Sequence, residues 1–178
     1  MDLCYIQSAN PIAGEIPMQK TNAMRILDQK GMRYEVITYQ CEDFVSGVEV
    51  AKKTGVPTGM MFKTLVAQGK SERYHVFVVP VNKELDMKKA ARSVDEKSVE
   101  LIPVKDINRI TGYVRGGCSP LGMKRRCSVV IDSSCNALES ICVSAGVLGC
   151  SIVLKPSDLI EAADAKTEDI VLDGVTLE

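Results

Sequence analysis

One lysine interrupts an otherwise almost wholly apolar run, MMFKTLVA at residues 60–67. Burying an unpaired ammonium is expensive, so Lys63 either snorkels out at a strand edge with its stem on apolar surface or stands in a site that needs a positive charge. A second stretch, GYVRGGCSPLGMKRR at 112–126, holds four glycines and a proline and ends on three consecutive basic side chains, Lys124, Arg125 and Arg126. Such density marks backbone that takes positive φ or lets another molecule come close. It reads either as a tight surface turn or as a set of backbone N–H groups offered to a carbonyl oxygen or a phosphate. It is not a Walker phosphate loop, because Gly122 is followed by Met123 rather than by lysine and a hydroxyl residue.

The usual catalytic machinery is missing. The single histidine, His75, lies in the apolar run YHVFVV and reads as a strand residue rather than a general base. No Ser-His-Asp or Cys-His arrangement can be completed except through it. Asp43, Asp132 and Asp158 are not spaced as a two-carboxylate site. The seven cysteines (4, 41, 118, 127, 135, 142 and 150) include no C-x-x-C pair, so neither a disulfide framework nor a structural metal is expected. Cys127, Cys142 and Cys150 read as small buried hydrophobes, and Cys118 as the one that its glycine-rich setting could expose. No cofactor is implied. An enzyme built from these residues must work by positioning and electrostatics, on a substrate that is already activated or that brings its own nucleophile.

Those residues need a scaffold, and 178 residues at 46% hydrophobic content suffice for one domain with a real core. Lysine and arginine (22) nearly balance aspartate and glutamate (23), so any nucleic-acid contact must be local. With no run of eighteen apolar residues and no basic start leading into an apolar block, neither a membrane span nor a secretory signal is expected; the cytoplasm is the expected compartment. Residues 1–17 show no clear period and read as an extension before a domain spanning 18–178.

Thr21 caps a predicted helix through Lys30, followed by a strand at 33–39. A helix at 48–55 ends on Gly55, and a hairpin joins 60–67 to 74–81 through GKSER. Residues 83–94 form an amphipathic helix with Lys88, Lys89 and Arg92 on one face. SVELIP at 98–103 reads as a strand and VKDINRIT as a short helix; strands at 127–132, 140–146 and 150–155 precede a last helix begun by Pro156. This order predicts a mixed α+β, single-domain fold with a largely antiparallel, β-barrel-like sheet flanked by helices, rather than a doubly wound parallel sheet.

FKTL at 62–65, GYVRGGCSPLGMKRR at 112–126, TNAMRIL near the start and VSAG with a further glycine at 143–149 together resemble the YbaK/EbsC family, from about Thr21 to about Ile170. That family comprises free-standing aminoacyl-tRNA deacylases similar to the editing insertion domain of prolyl-tRNA synthetases. The resemblance implies clearance of Cys-tRNA(Pro), or also Cys-tRNA(Cys), with the substrate thiol attacking its own ester. It implies that Lys63 is catalytic and that Tyr39, Phe44, Thr64, Gly116, Gly117 and Ser144 bind substrate. The tRNA acceptor end is the implied partner, with prolyl-tRNA synthetase supplying tRNA selectivity. Lys124, Arg125 and Arg126 are the candidate phosphate contacts, ahead of the helix cluster at 88–92. Ser151 stands where some members carry an aspartate, which weighs against cysteine as the amino acid. The alternatives are a deacylase for alanine or another small amino acid on tRNA(Pro), and a non-enzymatic aminoacyl- or ligand-binding regulator.

Overall fold

The computed structural model describes residues 5–8, as backbone, and 19–177. Nine strands and five helices follow in the order β1 (Tyr5–Ser8), α1 (Asn22–Gln29), β2 (Tyr34–Thr38), α2 (Gly47–Thr54), β3 (Phe62–Gly69), β4 (Tyr74–Pro80), α3 (Met87–Ser93), β5 (Val99–Leu101), α4 (Ile107–Thr111), β6 (Ser128–Asp132), β7 (Ile141–Val147), β8 (Cys150–Leu154), α5 (Pro156–Ala162) and β9 (Ala165–Glu168) among the described residues. They make one antiparallel sheet in the order β1-β2-β8-β7 and one mixed sheet in the order β5-β3-β4-β6-β9. In the mixed sheet β3 pairs antiparallel with β4 and β5, while β4–β6 and β6–β9 are parallel. The mixed α+β expectation holds, with the sheets packed together rather than closed into a barrel. Most of residues 1–17 lies outside the described residues; Tyr5–Ser8 runs antiparallel to β2.

β4 explains the layering. Its near-continuous apolar run buries both faces, as a central strand requires. Val76 and Val78 join Val36, Val143 and Ile152 in the core between the sheets, while Phe77 and Val79 pack with Ala90 and Ala91 of α3 on the far side. Small residues on α3 allow that close approach. A third apolar cluster sets Val50 and Ala51 of α2 against Met61, Val81 and Cys142, where the sheets meet. The junction is backbone too: Cys142 N–H donates to Met60 O at 2.8 Å, and Met61 and Cys142 form a parallel bridge.

Local chemistry sets the helix ends. Ser46 and Glu49 form a reciprocal capping box at the start of α2, and Gly55 closes it in the left-handed conformation at φ 73°. The helix expected over 83–94 begins only at Met87, because the Asp86 carboxylate caps the N–H groups of Lys88 and Lys89. Met87, expected on the apolar side, is exposed, and Lys89 is tied to Asp169 and Asp173 at 2.9 and 3.2 Å. β9, with the polar sequence AKTE, has no counterpart among the expected strands.

Candidate active site

A cavity of about 590 Å³ opens between the sheets at their junction. β3 supplies one wall, Ser144 of β7 and Ser151 of β8 another, and the start of α2 and the 115–118 turn form the rim. Lys63 lies in this wall, half-buried, opposite Val79 in the β3–β4 ladder. Its Nζ donates to Val81 O at 3.2 Å, and among the described residues no carboxylate comes within ion-pairing distance. Burial lowers its pKa below that of an ordinary lysine, and the charge of Glu84 offsets part of that shift. The ammonium is therefore a partly desolvated cation in a residue of the cavity wall.

The neighbouring Thr64 also borders the cavity, and its buried Oγ1 has no hydrogen-bond partner among the described residues. A buried hydroxyl left unpaired costs free energy unless a ligand satisfies it. Tyr39, just past β2, is fixed by its N–H donating to Gly149 O at 2.9 Å. Its hydroxyl meets Ser151, and burial raises its pKa. Ser144 faces Ser151 across the β7–β8 pair, and its Oγ accepts from Gly146 N–H at 3.3 Å.

At the rim, exposed Phe44 carries the Arg115 guanidinium 3.9 Å from its ring centroid. Gly116 sits at φ 83°, and a Cβ there would lie 3.0 Å from both the Phe44 ring and Leu148. The glycine pair divides at this point. Gly116 borders the cavity, whereas Gly117 is buried behind it, donating its N–H to Val114 O at 3.0 Å and packing on the Val147–Leu148 backbone. The N–H of Gly117 is thus already engaged.

Six of the seven cavity residues expected from the sequence, Lys63, Tyr39, Phe44, Thr64, Gly116 and Ser144, meet in this one space. Lys124, Arg125 and Arg126 do not enter it. They are exposed at the far end of the same loop, where Arg125 lies 5.6 Å over the Tyr74 ring and borders, with Arg126, a separate hollow of about 170 Å³. Among the lining residues that the sequence did not mark individually are Arg115, inside the glycine-rich segment but with its partner Phe44 distant in the chain, and Leu177.

The conventional nucleophiles and bases stand elsewhere or are silent. His75 is buried within β4, its Nδ1 2.6 Å from Ser128 Oγ and its Nε2 3.3 Å from Glu96 Oε1, away from the cavity wall. Cys118 does line the cavity, but burial raises its pKa to about 12, so it stays a protonated thiol at neutral pH. Asp132 is buried and structural, accepting from Ser134 N–H and Ile170 N–H at 3.1 Å each. Among the described residues no cluster of histidine, cysteine or carboxylates could hold a metal, and no helix is long and apolar enough to cross a membrane. What the cavity can do is hold an acyl group beside a cation, a free hydroxyl and exposed main chain.

A family model described as the aminoacyl-tRNA editing domain matches residues 42–162. A protein of Enterococcus faecalis assigned by name as the Cys-tRNA(Pro)/Cys-tRNA(Cys) deacylase EbsC is 39% identical over 153 residues, 85% of this chain and 93% of its own length. Among solved structures, a protein assigned by name as a trans-editing enzyme for prolyl tRNA synthetase superposes with a TM-score of 0.73 at 20% identity, over 87% of this chain and 99% of that one. Hypothetical protein APE2540 does so with a TM-score of 0.77 at 19% identity, over 85% and 100%. These two structural likenesses speak for the fold alone.

Proposed function

The chain belongs to the aminoacyl-tRNA editing domain family, and from that premise we propose that it is a free-standing deacylase clearing cysteine from Cys-tRNA(Pro), and from Cys-tRNA(Cys), by substrate-assisted cleavage. The resemblance carried by FKTL and the glycine-rich segment is borne out by this membership. In the proposed reaction the cysteinyl sulfur attacks the ester carbonyl. The new C–S bond closes a thiolactone, the C–O bond to the ribose breaks, and the thiol proton ends on the departing ribose oxygen. No protein nucleophile is needed, which agrees with the protonated Cys118 and the distant His75.

The observation that carries the reading is Lys63: a half-buried ammonium without a carboxylate partner among the described residues, in the wall of a cavity. A fixed cation beside an oxygen that gains negative charge stabilises the transition state more than the ground state. Lys63, with backbone N–H near Gly116, would hold the carbonyl oxygen or the terminal phosphate. Gly117 cannot share that task, since its N–H already serves Val114. The unpartnered Thr64 hydroxyl supplies a further hydrogen bond to the acyl group. Lys124, Arg125 and Arg126 would then meet phosphates of the acceptor stem, with prolyl-tRNA synthetase supplying tRNA choice.

Purified protein incubated with Cys-, Ala- and Pro-tRNA(Pro) tests this directly. Selective loss of the cysteinyl ester is expected. Selective loss of the alanyl ester would instead favour the second reading, a small-amino-acid deacylase, for which Ser151 in the wall speaks. Loss of none would leave a binding module. Lys63→Ala is expected to fold and to lose about 10²–10³-fold in turnover, the usual effect of deleting one such donor.

A further inference from the structure

Val81 and Asn82 offer successive carbonyls to two unrelated donors: Lys63 Nζ reaches Val81 O at 3.2 Å, and the backbone N–H of Leu177 reaches Asn82 O at 2.7 Å. The segment 170–177 runs as a strap along 82–86. Asp86 N–H donates to Ile170 O at 2.8 Å, Leu172 N–H donates to Glu84 O at 2.9 Å, and Leu85 and Val171 form an antiparallel bridge. Two lysines staple the strap from outside. Lys83 Nζ donates to Val175 O at 3.0 Å and Thr176 Oγ1 at 2.9 Å, and Lys89 Nζ donates to Val171 O and Asp169 Oδ2, both at 2.9 Å.

The strap's two ends do different work. At its start Ile170 is fully buried and bonded to Asp132, so the segment is anchored in the core. At its other end Leu177 lines the cavity that Lys63 and Val81 also line. The turn it holds carries both the carbonyl that binds Lys63 and Glu84, whose charge supports the ammonium. Leu177 also lies outside residues 42–162, so this wall comes from chain beyond the segment that the family model matches.

We propose that the 170–177 strap is a specificity-determining wall of the site: Leu177 narrows the cavity at its Lys63 end, admitting small acyl groups and turning away bulky ones, with Lys83 as its pin. The identity of the acyl donor rests on the deacylase reading; the wall itself does not. Adding or removing a few carbons in an apolar pocket changes discrimination by roughly 10–200-fold, so truncating Leu177 must register.

Two measurements on the full chain separate the wall from the reaction. In the first, wild type, Leu177→Ala and Lys83→Met are treated with acetyl and biotinyl N-hydroxysuccinimide esters, and modification at Lys63 is followed by peptide mass spectrometry, with exposed Lys30 as internal reference. The biotinyl-to-acetyl rate ratio at Lys63 is expected to rise about tenfold in both variants while that at Lys30 stays constant. An unchanged ratio at Lys63 overturns the wall. In the second, cysteinyl and penicillaminyl esters of one tRNA(Pro) are compared, the second bearing the same thiol and two more methyl groups. Leu177→Ala is expected to shift the kcat/KM ratio about tenfold toward the larger ester. If wild type cleaves neither ester while the Lys63 ratio still moves, the deacylase reading fails and the wall stands; if cleavage occurs and neither ratio moves, the reverse holds.

Discussion

Lys63 sets two pH dependences against each other. Burial favours its neutral form, so its folded-state pKa lies below the unfolded value of 10.5. Between those two values the unfolded chain binds more protons than the folded one, and stability therefore rises with pH across that window. Activity that needs the ammonium must fall as pH climbs through the same lowered value. Urea denaturation and deacylation rates measured over one alkaline pH series should diverge accordingly, and parallel curves would remove the ammonium from the mechanism. The same conflict predicts that Lys63→Met keeps or raises the thermal midpoint while turnover falls about 10²–10³-fold. Thr64 repeats the pattern with a neutral group. Thr64→Val deletes the unpartnered hydroxyl at nearly constant shape, so it should stabilise the fold by about 1 kcal/mol in chemical denaturation and weaken substrate binding.

The elements around the cavity transmit changes unequally. Ser46→Ala removes half of the α2 capping box and should cost about 1 kcal/mol in denaturant unfolding. Gly47→Ala, one residue on, drives a Cβ into Val81 Cγ1, so Val81 must move and with it the carbonyl that holds Lys63. Its loss of turnover should exceed that of Ser46→Ala at equal stability. α1, α2 and the β3–β4 hairpin were legible in the sequence because their signals are local: Thr21, Gly55 and the polar GKSER turn. β9 was not, since AKTE has no apolar alternation and becomes a strand only by pairing with β6, far back in the chain. The site divides the same way. Lys63 and the glycine loop stand out by breaking their own surroundings, whereas the use of Arg115 within that loop, and of Leu177, shows only once Phe44 and Asn82 are brought to them.

At the scale of the molecule, a net charge of −1 leaves polyanion binding to local patches. Replacing Lys124, Arg125 and Arg126 by glutamine should flatten the salt dependence of tRNA binding by up to about 0.7–0.9 in log–log slope for each phosphate that is no longer neutralised. An unchanged slope would assign the three side chains to solvent. The cavity itself belongs to neither sheet alone: β3 of one and β7 and β8 of the other face each other across it, joined at Met61 and Cys142. Its lining also has an order in time. Every lining residue other than Leu177 falls between Tyr39 and Ser151. A ribosome threading this chain delivers all those residues first, and Leu177 joins the lining last.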